Sequence, residues 1–169
     1  MKTLFLAGFF AFVAVSSPVV AQEPVIAAQN ADELFTSPDP MLNANKQVVY
    51  RIMRDLLDAG HWDKASELLS DEYLQHNPNA KSGRDAVVYY FTQVLKVQPR
   101  PISEELNMKI VAVMAEGDLV TVLYPRTVKD AQAPGGTYST TWFDTWRIKD
   151  GKAVEHWDPA LLNEAPDLR

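Results

Sequence analysis

Residues Gly135–Trp157, GGTYSTTWFDTWRIKDGKAVEHW, hold two runs rich in β-branched and aromatic side chains, separated by Asp150 and Gly151. A two-residue joint of this kind between strand-like runs predicts a β-hairpin, because the tight turn that matches strand twist needs residues tolerant of positive φ. Immediately upstream, NMKIVAVMAEGDLVTVLYPRTV (Asn107–Val128) reads the same way, with Glu116, Gly117 and Asp118 at its joint. The second half of the chain is therefore expected to be a meander of antiparallel strands.

Further upstream the period changes. Val48, Val49, Ile52, Met53, Leu56 and Leu57 recur at helical spacing, which predicts an amphipathic helix from Asn45 to a C-terminal stop at Gly60. HWDKASELLS (His61–Ser70) continues as a short second helix, and DEYLQHNPN (Asp71–Asn79) as a brief extended segment closed by a turn at Asn77 and Pro78. Ser82 and Asp85 stand at capping-box spacing before Val87, Val88, Phe91, Val94 and Leu95, a third helix that stops before Pro99. Helices first and a strand meander after them make an α+β domain in which one sheet face packs on the helices.

Alternation across the sheet puts Thr140, Trp142, Asp144, Trp146 and Ile148 on one face and Thr141, Phe143, Thr145 and Arg147 on the other. Asp144 is the acid in a large apolar row, and the desolvation expected there suits a carboxyl to general acid or base work. An arginine partner or a wet sheet edge accounts for it equally well. On the last strand Ala153, Glu155 and Trp157 alternate with Val154, His156 and Asp158, and either set carries a titratable group inward. Periodicity does not decide between them. His156 and His76 are candidates for proton transfer near neutral pH, or else hydrogen-bonded histidines at a strand end and a turn.

The chain has 169 residues and three histidines, none at close ligand spacing, so no metal is expected. Gly135 and Gly136 lie in a loop after Pro134, which offers no phosphate cradle, and no cofactor is expected. Cysteine is absent, which removes disulfides and thiolate ligands. Lys2, the apolar run Leu4 to Val15, and the small residues Val19 and Ala21 predict a signal peptide cut after Ala21 and a secreted or periplasmic product. Cleavage would take away Lys2 alone, leaving 15 basic against 22 acidic residues and a formal charge of −7. That balance argues against nucleic acid and anionic membrane as partners. Residues 22–41 read as a flexible lead-in and 42–169 as the domain.

YLQHNP, GRDAVVYYF, EGDLVTV, FDTWRIKDGK and EHWD occur in an order that resembles SnoaL-like proteins of the nuclear transport factor 2-like superfamily, over about Asn45 to Asp158. The resemblance implies a conical α+β barrel of the cystatin-like kind, with a curved, mainly antiparallel sheet around N-terminal helices and a deep apolar pocket. It also implies cofactor-free acid/base chemistry of cyclase, isomerase or hydrolase type. Asp144 would be the general acid/base, with His76 and His156 assisting and Trp142, Trp146, Trp157, Asp158, Tyr73 and Phe91 lining the pocket around a small apolar molecule. Many relatives carry histidine in the strand after DLV, where this chain has Leu123. A binding protein without catalysis and a homodimer built on the outer sheet face are the competing expectations.

Overall fold

The computed structural model describes residues 23–164; the expected signal peptide lies outside them. Helix α1 runs from Pro40 to Arg51 and continues as a wider π-helical turn over Ile52–Asp58. It starts five residues earlier than the apolar period predicts, because Asp39 caps it: one carboxylate oxygen accepts from the Met41 and Leu42 N–H groups at 2.9 Å each. At the other end Gly60 has φ +77°, and a Cβ there would meet Val97 Cγ1 at 2.9 Å. Glycine is required at that stop for both reasons.

The lead-in is docked against the domain. Asp32–Phe35 forms a 3-10 turn, Phe35 is fully buried, and the Lys46 and Gln47 side chains donate to the carbonyls of Leu34 and Phe35. Ala28 N–H also donates to Ile110 O at 2.7 Å. The segment lacks helical or strand periodicity, yet one large aromatic side chain is enough to anchor it; truncating a buried Phe typically costs about 3–5 kcal/mol.

A 3-10 turn at Trp62–Lys64 leads into α2 (Ala65–Leu68), and the chain is already strand at Leu69. The second helix is therefore shorter than expected, and β1 (Leu69–Gln75) is longer. Helix α3 (Arg84–Tyr89, continuing as a π-helical turn Tyr90–Val94) has no side-chain cap. The expected capping residue Ser82 instead accepts from Gln75 N–H at 3.1 Å, fastening the helix entry to β1.

Strands β2 (Ala112–Glu116), β3 (Leu119–Lys129), β4 (Thr137–Lys149) and β5 (Lys152–Trp157) follow, joined at the two predicted turns. The curved, unclosed sheet has the order β1-β5-β4-β3-β2, with β1 parallel to β5 and the rest antiparallel. Its inner face packs Val120, Val122, Trp146 and Ile148 against Val49, Ile52, Met53 and Leu56 of α1 and its extension.

The alternation expected along β5 is broken once. Ile148 pairs with Ala153 but Arg147 pairs with Glu155, so Val154 is an extra residue, a β-bulge. The bulge turns Ala153 and His156, three apart, to the same buried side. Neither of the two strict alternating sets exists as such.

Candidate active site

Between the inner sheet face, α3 and the end of α1 lies a cavity of about 830 Å³. Trp142, Asp144 and Trp146 of β4, Tyr124 of β3, Tyr73 of β1 and His156 of β5 bring its chemistry together. Phe91, stacked on Trp62 with ring centroids 3.8 Å apart, closes the helical side.

Asp144 is buried and held by several donors. Its Oδ2 accepts from the Tyr124 hydroxyl at 2.5 Å, and its Oδ1 accepts from the Trp142 indole N–H at 3.1 Å. Burial first, and the Asp144 charge second, push the Tyr124 hydroxyl well above the ordinary tyrosine range, so it keeps its proton and donates. Burial does the same for Tyr73, whose oxygen accepts from Trp146 Nε1 at 3.1 Å.

His156 Nε2 lies 3.1 Å from Asp144 Oδ1, and its Nδ1 lies 2.8 Å from Gln75 Oε1. Gln75 Oε1 also accepts from the Asn77 backbone N–H at 3.1 Å, which fixes the amide with its oxygen toward the imidazole. Nδ1 must then carry a hydrogen. A lone pair on Nε2 facing an unprotonated carboxylate oxygen would repel, so the Nε2–Oδ1 contact holds a proton as well. With one hydrogen in the contact, Nε2 and Oδ1 form a hydrogen-bonded pair across which that proton can pass. The pair carries no net charge with the proton on either atom, which makes its burial affordable. Asp144 Oδ2, with one donor, keeps an acceptor position for a ligand proton.

Asp158 completes the group: its Oδ2 accepts from Asn77 Nδ2 at 2.7 Å, its Oδ1 from Ala160 N–H at 2.9 Å, and Oδ2 stands 3.9 Å from His156 Nδ1. Asp144, His156 and Asp158 offer ligand atoms within 4.8 Å of one another. Both imidazole nitrogens are already engaged, so a metal here would have to break the contact to Asp144 or to Gln75.

Two of the residues expected at the site are elsewhere. His76 stacks on Trp157 (ring centroids 5.2 Å, interplanar angle 4°) and contacts Glu155 Oε1 at 2.9 Å, with 46% of its side chain exposed. Neither His76 nor Trp157 lines the cavity. The bulge is the cause, since it sends Glu155 and Trp157 outward once His156 is inward. Tyr124 and Gln75 are the site residues that sequence reasoning missed. Tyr124 continues the inward row Val120, Val122, but nothing in the pattern marks a hydroxyl there; Gln75 sits beside the quoted His76 and drew no notice. Leu123, at the position where many relatives have histidine, pairs with Ala112 and Phe143 and belongs to the face opposite Val122 and Tyr124.

The SnoaL-like domain family matches residues 49–156, well over half of the chain. The chain belongs to the SnoaL-like family. Among solved structures, a protein from Jannaschia sp. CCS1 provisionally classed as a SnoaL-like polyketide cyclase is 20% identical over 73% of this chain and 91% of its own, with a TM-score of 0.50. One from Bacillus cereus, provisionally classed as a polyketide cyclase, is 16% identical over 82% and 85%, also at 0.50. At these identities the likeness concerns the fold. No curated protein matches the chain.

Proposed function

We propose that this SnoaL-like protein is an exported enzyme, secreted or periplasmic, that moves protons on a small apolar molecule without a cofactor. The Asp144–His156 pair transfers the proton, the Tyr124 hydroxyl steadies the charge on Asp144, and Trp142, Trp146, Tyr73 and Phe91 hold the molecule away from water. One observation carries this reading: two titratable side chains, Asp144 and His156, meet at 3.1 Å inside an otherwise largely apolar cavity. In a dry pocket such a pair takes a proton α to a carbonyl and returns it elsewhere, the elementary step common to aldol cyclisation and isomerisation.

Deuterium exchange tests the step without knowledge of the natural substrate. The α-protons of 2-acetonaphthone, followed by NMR in D₂O, should exchange faster with the protein than without it, and Asp144→Asn should lower the catalysed rate by about 10²-fold or more. An Asp144→Asn protein with the full rate would sink the assignment.

Binding without chemistry is the second reading, and it too has an observation behind it. Asp144 already makes three hydrogen bonds within the protein, as a purely structural carboxylate would. Uptake of the ketone with no catalysed exchange would favour that reading.

A further inference from the structure

Arg126 follows Tyr124 by two residues on β3 and shares its face, so it sits on the cavity wall beyond the Tyr124–Asp144 pair. Its guanidinium lies 4.3 Å over the ring of Trp142, the same indole whose N–H donates to Asp144. Only 18% of the side chain is exposed. A guanidinium so largely withdrawn from water calls for an anion, and Glu164 supplies one: its Oε1 accepts from Arg126 Nη2.

Glu164 belongs to a strap, residues 158–164, that follows β5 over the cavity, with Asp158 and Ala160 in the wall. Among the described residues, polar contacts fasten the strap. Asn79 Nδ2 donates to the carbonyls of Leu161 and Glu164 at 2.9 and 3.1 Å, and Asn79 Oδ1 accepts from Asn163 N–H at 2.6 Å. Its two large apolar side chains, Leu161 and Leu162, are 71% and 69% exposed and anchor nothing. The Leu161 N–H, and after it Arg126, hold the Glu164 carboxyl below the usual carboxylate range, so the strap presents an anion.

We propose that the ligand of this pocket carries a carboxylate that binds Arg126 in place of Glu164, so that Arg126 sets substrate class and the Glu164 strap is the internal anion it displaces. The proposal rests on the reading of the cavity as a ligand site and narrows it. Exchange of one carboxylate for another leaves the charge of the cavity unchanged, because the Asp144–His156 pair is neutral as a unit and Asp158 keeps its two donors. Trp142 sets the spacing. With Asp144 at the indole N–H and Arg126 over the ring, the ligand's carboxylate and its reacting atom stand about one indole width apart. The planar fork of arginine suits a carboxylate better than an ammonium would. Two other cationic side chains line the cavity: Arg100, which donates to Asp58, and Lys109, which is exposed.

Titration calorimetry with two probes of one shape, 2-naphthoate and neutral 2-naphthamide, separates this proposal from the reading it rests on. The native protein should prefer naphthoate by about tenfold or more. Arg126→Gln should abolish the preference while keeping naphthamide affinity, Arg126→Lys should keep part of it, and Glu164→Gln should tighten naphthoate binding. Lys149 is exposed and outside the cavity wall, and Lys149→Gln should change nothing. Thermal unfolding of each variant shows that the fold is retained. If naphthamide binds and naphthoate binds no better, or if the preference survives Arg126→Gln, the proposal is overturned and the ligand pocket stands. If the native protein takes up neither probe, both are overturned.

Discussion

Each face of the β4–β5 hairpin has a histidine–carboxylate pair, the outer one completed by His76 from just beyond β1, and the two pairs have opposite characters. Inside, His156 and Asp144 meet at 3.1 Å with 9% and 7% of their side chains exposed. Outside, His76 and Glu155 meet at 2.9 Å with 46% and 19% exposed, and Arg147 adds a second bond to Glu155 at 3.0 Å. Residue types and distances nearly match; surroundings do not. The outer pair is screened by water and by Arg147, so its interaction is weak and its proton exchanges with solvent. The inner pair is walled by tryptophans and held by Tyr124 and Gln75, so its proton is available only to what enters the cavity.

The sharpest way to break the comparison is to remove one carboxylate from each side. Asp144→Ala leaves the Tyr124 hydroxyl, the Trp142 N–H and His156 without their acceptor, and urea unfolding should show a loss of about 3–5 kcal/mol. Glu155→Gln should lower the unfolding midpoint near neutral pH only slightly. Equal losses would mean that the two faces are not distinct environments.

Tyr124→Phe removes one donor from Asp144 and should cost about 1–3 kcal/mol in the same measurement. Gln75→Leu should lower catalysed exchange about tenfold, close to 1.4 kcal/mol of barrier, by freeing the imidazole to flip. Gln75→Glu should restore part of the rate, since it returns an acceptor to Nδ1, and the ¹⁵N shifts of His156 should report the recovered tautomer.

The smallest effects lie in the pH profile, where the two faces should act on opposite limbs. Tyr124 and Tyr73 have folded pKa values above their unfolded ones, so their contribution is complete below the unfolded tyrosine range and is lost as pH rises beyond it. Tyr124→Phe should flatten the alkaline limb. Glu155 has a folded pKa below its unfolded one, held down first by the His76 hydrogen bond and then by Arg147. Its contribution is present above the unfolded carboxylate range and fades as pH falls through the folded value. Glu155→Gln should therefore flatten the acid limb slightly, and high salt should hide the difference.

The elements were legible where a pattern is long and the turn chemistry local. Both hairpins fall at the residues read as joints, and Trp142, Asp144 and Trp146 share the face that alternation assigns them. The start of α1 was less legible than its stop at Gly60, because Asp39 capping acts through geometry that apolar spacing does not record. The docking of the lead-in is not legible for a related reason: Leu34 and Phe35 stand in a stretch without periodicity, and their anchoring becomes visible only with the residues that cover them.

For the candidate site, the sequence by itself determined that an acid would lie among tryptophans on one sheet face, and that a histidine and a second acid would end the next strand. Local stereochemistry suffices for that, since strand alternation and a two-residue turn depend on a few neighbouring residues. Which histidine reaches Asp144 was decided only by the tertiary structure, through the bulge at Val154 and the pairing of β5 with β1. A bulge is a property of two strands in register, not of one, and its single extra residue sends His156 inward and leaves His76 with Trp157 outside.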